Sequence, residues 1–124
     1  MIFLPAFLDH MDRATGEAPL ADIIRDYAAF YQGRIDQGLA VDRRGCPYTT
    51  ETLKNETFVK HSILTNPFEK FERKRFMYHS KDLGLISLNH ALLMRLTDED
   101  YERIRNQMRQ DLEEYYSRLS AHFA

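Results

Sequence analysis

Six side chains of this chain are of the types that ligate transition metals: His10, Cys46, His61, His79, His90 and His122. Their spacing matches none of C-x-x-C, H-x-x-x-H or H-E-x-x-H, so zinc chemistry has no signature here. Cys46 stands beside Arg43 and Arg44, surroundings of the kind that activate a thiolate nucleophile, yet no motif links it to a histidine. Ser62, Ser80 and Ser87 lie in no G-x-S-x-G setting. Glu72-Arg73-Lys74 forms an E-x-K triplet, with Glu69 three residues earlier. A nuclease would need such carboxylates clustered around a hard cation, and this triplet falls in a helical pattern rather than on a strand. No glycine-rich phosphate loop is present. These residues point to no catalytic site, no metal site and no cofactor.

The chemistry with several supports is electrostatic. The net charge of -2 excludes a uniformly basic nucleic-acid binder, but the charge is unevenly spread. Residues 1–40 carry 3 basic and 6 acidic groups, residues 41–83 carry 9 and 6, and residues 97–124 carry 4 and 7. The cationic middle centres on "ILTNPFEKFERKRFMYHSKDLG", residues 63–84. Lys70, Arg73, Lys74 and Lys81 are the candidate nucleic-acid contacts within it. Arg75 and His79 reach toward phosphate from the same stretch, and Lys60, Arg43 and Arg44 stand at the periphery. Glu69 and Glu72 oppose them.

The elements that must position these groups read as follows. Leu20, Ile23, Ile24, Tyr27, Phe30, Tyr31 and Ile35 recur at helical spacing, with Pro19 in the first turn and Gly38 at the stop. A helix over 19–37 is expected. Leu39 to Val41 is a short strand or an exit from that helix, and Arg43 to Pro47 is loop. Thr50 is available to cap the next segment. From Asn55, residues Phe58, Val59, Ser62 and Ile63 turn helical again, and that helix must end before Pro67. Asn66 then serves as a new N-cap, Pro67 as the first helical residue and Glu69 as the acid of a capping box. The product is helix, tight turn, helix. Phe68, Phe71 and either Phe76 or the stem of Arg75 face inward; Lys70, Arg73 and Lys74 face outward.

Phe76 to His79 alternate like a strand, Ser80 to Gly84 has turn chemistry, and Leu85 to Leu88 is a second apolar run, which together predict a hairpin. Asn89 caps a helix that buries Ala91, Leu92 and Leu96. Thr97 and Asp100 form a capping box at the start of the last helix, along which Tyr101, Ile104, Met108, Leu112, Tyr115, Leu119 and Phe123 recur at three- and four-residue steps. The fold expected is therefore a single, mainly α domain of 124 residues. It comprises an N-terminal arm over 1–18, a winged-helix-like core over 19–96 and a long C-terminal helix over 97–124.

Two apolar features could meet another chain. One is the arm "MIFLPAF", with Phe3, Leu4 and Phe7, which either docks on the core or is covered by a partner. The other is the last helix, with Tyr115 and Leu119, whose stripe is either core or a homodimer seam. A lone cysteine excludes an internal disulfide and fits a reducing, cytoplasmic compartment. The arm lacks signal-peptide features and is too short to span a bilayer, so no membrane role is expected.

The run "ILTNPFEKFERKRFMYHSKDLGLISLNHALLMRL", the tail "LEEYY" and the upstream "FYQGRIDQGL" resemble the C-terminal, winged-helix-like accessory segment of bacterial restriction and phage-defence proteins that carry helicase-type motors. The resemblance touches most of residues 27–119 and contains no catalytic motif. It implies a non-catalytic accessory subunit that works on DNA or docks on a larger helicase- or nuclease-type partner. The alternative is a pure protein–protein interaction or oligomerisation module.

Overall fold

A computed structural model describes residues 2–123. The side chains of His122 and Phe123, one a metal-ligand candidate and the other part of the final stripe, lie outside the described residues. The elements run α1 (Phe3–His10), β1 (Glu17–Pro19), α2 (Leu20–Asp36), α3 (Thr50–Lys54), α4 (Glu56–Thr65), α5 (Pro67–Arg73), β2 (Met77–Ser80), β3 (Leu85–Leu88), α6 (His90–Arg95) and α7 (Asp98–Phe123). The expected architecture is present: a mainly α domain, an elbowed helix pair leading into a hairpin, and a long final helix.

The stretch expected as an arm over 1–18 docks on the core, the first of its two expected alternatives, and it does so as helix α1 followed by strand β1. Pro5 is compatible with helix because it sits in the first turn, where backbone N–H groups have no intrahelical partner. Phe3 and Phe7 are 0% exposed, so neither is available as a partner-facing residue. Phe3 packs on Phe7, Phe68 and Phe71 with ring centroids 6.3, 6.1 and 5.9 Å apart. β1 extends the hairpin to a three-stranded antiparallel sheet in the order β1-β3-β2. The register pairs Ala18 with Ile86, and His79 with the same Ile86 from the other side. Ala18, Ile86 and Met77 form the buried face of this sheet. Pro19 ends the edge strand, where its missing N–H costs no ladder bond.

Helix α2 buries Leu20, Ile23, Ile24, Tyr27 and Tyr31. It ends at Gly38, whose φ of 68° permits the Leu39 N–H to reach the Arg34 carbonyl at 2.9 Å. No strand forms at 39–41, and Leu39 is exposed. Thr49, rather than Thr50, caps α3, through a reciprocal box with Thr52. Asn55 caps α4 by accepting the Phe58 N–H.

One hydrophobic cluster gathers α1, the sheet, α2, α4, α5, α6 and the first turns of α7. Within α6 the buried residue is Leu93. Ala91 is exposed, and Leu92 and Leu96 are half-buried, because six residues make too short a helix to hide a wide stripe. The Thr97–Asp100 box closes as expected, with both N–H bonds made at 2.9 and 3.1 Å. Ion pairs Arg13–Asp98 and Arg105–Asp9 hold α7 against α1 and the turn before β1. Arg13 also lies 4.3 Å over the Tyr101 ring.

Candidate nucleic-acid interface

The basic stretch begins at the elbow. Ile63 ends the buried face of α4, and Pro67 cannot supply the N–H that would continue it. Asn66 takes φ -126° and ψ -81° and serves as the end of one helix and the start of the next. That double duty overturns the expected cap: the Asn66 side chain makes no capping bond to α5. Glu69 does not reach back to it and instead approaches Arg73 at 3.7 Å.

α5 is anchored by Phe68, 2% exposed, which meets Phe3 and the His79 ring, each with centroids 6.1 Å away. Phe71 is half-buried beside it, whereas Phe76 is 41% exposed and does not face inward. With Phe68 inward, the i, i+3, i+4 spacing turns Lys70, Arg73 and Lys74 to one solvent-facing side, and all three are exposed. Lys60, Lys70, Lys74 and Lys81 have no ion-pair partner among the described residues, while Arg73 is half committed to Glu69.

The helix stops abruptly. The Phe76 N–H bonds the Phe71 carbonyl at 2.9 Å and the Arg75 N–H bonds that of Glu72 at 2.9 Å, a Schellman closure. Its left-handed position is Arg75, at φ 61°, where glycine is the usual occupant. Asn89 bolts this corner to the far end of the hairpin. Its Nδ2 donates to the Arg75 carbonyl at 2.9 Å, its own N–H donates to the Phe76 carbonyl at 2.8 Å, and its Oδ1 caps α6 at Ala91. One asparagine thus fixes the angle between the basic helix and the hairpin.

His79 is corrected. It shares the inner face of the sheet with Met77 and Ile86, so it does not reach out to phosphate. Its Nε2 is buried without a hydrogen-bond partner. Burial pushes its pKa below 6.5, Lys60 and Lys81 push it further, and Glu72 opposes them.

Arg43 and Arg44 lie apart from this face in sequence, and both are exposed. Their loop is pinned by α7, which sequence reasoning did not foresee. The Tyr115 hydroxyl donates to Asp42, and the Tyr116 hydroxyl donates to the Val41 carbonyl at 2.7 Å. Arg34 lies 3.6 Å over the Tyr116 ring while its Nε donates to the Ala40 carbonyl at 2.6 Å. Burial, and then its bond to Asp42, push the Tyr115 pKa up to about 12, so the phenol stays a donor. Tyr115 is therefore engaged within its own chain, and Leu119 is half-buried further along the same helix.

The pinned loop closes a cleft of about 410 Å³ against α2, α4 and α5. Arg43 and Lys70 both line it, which joins the loop cations to the start of the α5 basic face. Cys46 and His61 also line it, but no hydrogen bond links them, so no nucleophile–base pair is assembled. Among the described residues no group of three or more His, Cys, Asp or Glu side chains could hold a metal ion. Among them, too, no helix is long and apolar enough to cross a membrane.

Comparison with known proteins returns no matching family model, no matching curated protein and no matching solved structure.

Proposed function

We propose that this chain is a non-catalytic nucleic-acid-contacting module, an accessory subunit of a DNA-processing or phage-defence complex that seats α5 and the hairpin turn against phosphate. The observation that carries the reading is the exposed face of Lys70, Arg73 and Lys74, presented by a helix that follows a tight elbow and leads into a hairpin bearing Lys81. An elbowed helix pair of this kind places its second helix in a groove of duplex DNA, and flanking cations neutralise phosphates. Lys60 on α4 and Lys81 in the hairpin turn, both exposed, add cations on the elements that flank α5. Glu69 and Glu72 temper it, which favours modest affinity and use within a larger assembly. A helicase- or nuclease-type protein is the partner this reading implies, in line with the resemblance of residues 63–96.

Fluorescence anisotropy on a labelled duplex tests it. R73A/K74A is expected to weaken binding and to flatten the dependence of log Kd on log salt. Binding that is unchanged in the double variant removes the contact assigned to α5.

A second reading rests on a different observation. Leu4, Leu8, Phe76, Leu92 and Ile104 line a wholly apolar groove of about 210 Å³ between α1, the hairpin and α7. Such a groove suits the apolar face of another protein. Leu4, half-buried at its edge, is the member of the N-terminal interface set that remains accessible. Light scattering on the isolated chain tests the homodimeric form of this reading, since a strict monomer at all concentrations contradicts it.

A further inference from the structure

The cleft beneath the pinned loop is not used by the contacts above, apart from Lys70 at its rim. Its floor is aromatic. Tyr48 stacks on Tyr31 with centroids 4.5 Å apart and an interplanar angle of 27°, and the hydroxyls of Tyr27 and Tyr48 bond at 2.7 Å. Tyr27 and Tyr31 are buried behind, and Tyr48 is the half-buried ring nearest solvent. One wall carries Ser62, Thr65 and Asn66. The Thr65 hydroxyl donates to the His61 carbonyl at 2.7 Å and keeps its lone pairs for a ligand, Ser62 bonds the Tyr48 hydroxyl, and the Asn66 amide both donates and accepts. The rim carries Arg43 and Lys70. The single acid of the lining, Asp42, is occupied by the Tyr115 hydroxyl. Burial holds the pKa values of Tyr27, Tyr31 and Tyr48 above the ordinary phenol range, so these hydroxyls add no negative charge at neutral pH.

We propose that this cleft binds one nucleotide unit, with the base against Tyr48, its edge on the Ser62–Asn66 wall, and its phosphate at Arg43 and Lys70. The volume falls within the range of small-ligand sites, about 300–1,000 Å³. The lining is more polar than that of a drug-type pocket, with aromatic rings on the floor and hydroxyl, amide and cationic groups around it, which suits a charged, hydrogen-bonding ligand. Base-on-aromatic stacking tolerates any base, so the site reads the class of ligand rather than a sequence. Lys70 belongs to both features. A strand that runs along Lys74 and Arg73 reaches the cleft at Lys70, where an unpaired nucleotide can enter. This deepens the nucleic-acid reading and rests on it only for the source of the nucleotide.

Titration of the intact chain with a deoxynucleoside monophosphate, followed by amide shifts in NMR, tests the proposal. Parallel titrations use inorganic phosphate and an unlabelled single-stranded oligonucleotide. The expected result is saturable shifts at residues 43–48 and 61–70 with the mononucleotide, and weaker ones with phosphate alone. T65E, at an exposed position on the wall, is expected to abolish them, and T65Q to retain them. Y48L is expected to weaken the mononucleotide by about fivefold or more, the loss of one stacked base. Oligonucleotide shifts at the same residues assign the source to a strand; mononucleotide shifts without them assign it to free nucleotide. Equal affinity for phosphate and mononucleotide, or shifts elsewhere, overturns the proposal. Duplex binding that survives T65E keeps the reading of α5 separate from this outcome.

Discussion

Replacing Glu69 with Gln isolates the electrostatics of α5 without removing a cation. Glu69 and Arg73 lie 3.7 Å apart on successive turns, with side chains 45% and 66% exposed, so their pairing is solvent-screened. Its loss costs the fold only about 0.3–0.5 kcal/mol. For nucleic acid the change is larger, because the variant frees Arg73 and removes an anion from the face that meets phosphate. If Arg73 then engages one further phosphate, the slope of log binding constant against log salt steepens by about 0.9. The advantage of E69Q over the wild type therefore grows by about 3.5-fold when salt falls from about 200 mM to about 50 mM. Anisotropy titrations of a labelled duplex at several salt concentrations measure this directly, with circular dichroism melts to confirm an unchanged fold. Binding by E69Q that is equal to or weaker than wild type, with the same slope, refutes the placement of phosphate on this face.

Three further outcomes follow from the packing. F68A removes the ring that ties α5 to α1 and the hairpin and should cost about 3–5 kcal/mol, read from urea midpoints. R75G relieves a left-handed side-chain-bearing residue and should stabilise the fold by about 1 kcal/mol, and thermal melts that show no gain contradict the strain assigned there. His79 titrates below 6.5 in the folded chain, so the unfolded chain binds more protons in the window beneath that value. Its contribution to stability is complete above 6.5 and is lost as pH falls toward the folded pKa. Urea midpoints of H79L should lose that portion of the pH dependence, and identical wild-type and H79L profiles contradict the burial of this ring.

Much of the local structure was legible because it is written in adjacent residues. Pro67 broke the helix where its missing N–H requires, Gly38 and Thr97 marked ends through their own backbone and hydroxyl chemistry, and Ser80 to Gly84 announced the hairpin. What escaped depends on residues far apart in the chain. Strand β1 is three residues long and exists because Ala18 pairs with Ile86, which no local pattern encodes. Which of the two expected fates the Phe3 segment takes is decided by Phe68 and Phe71, more than sixty residues away, on which Phe3 packs. The candidate cations were identified from the sequence, but their grouping was not: Arg43 and Lys70 line one cleft, under a loop that Tyr115 and Tyr116 help to hold from the opposite end of the chain. The alternation over Phe76 to His79 gives two faces and does not say which one is inside; the structure turns Met77 and the half-buried His79 inward.

The most direct test of the account is the salt dependence of wild-type binding to duplex DNA. Lys70, Lys74 and Lys81 supply three cations with no ion-pair partner among the described residues, so the account predicts a linear plot of log binding constant against log salt with a slope of about -2.7 or steeper. No binding at about 50 mM salt, or an affinity that does not change with salt, contradicts it.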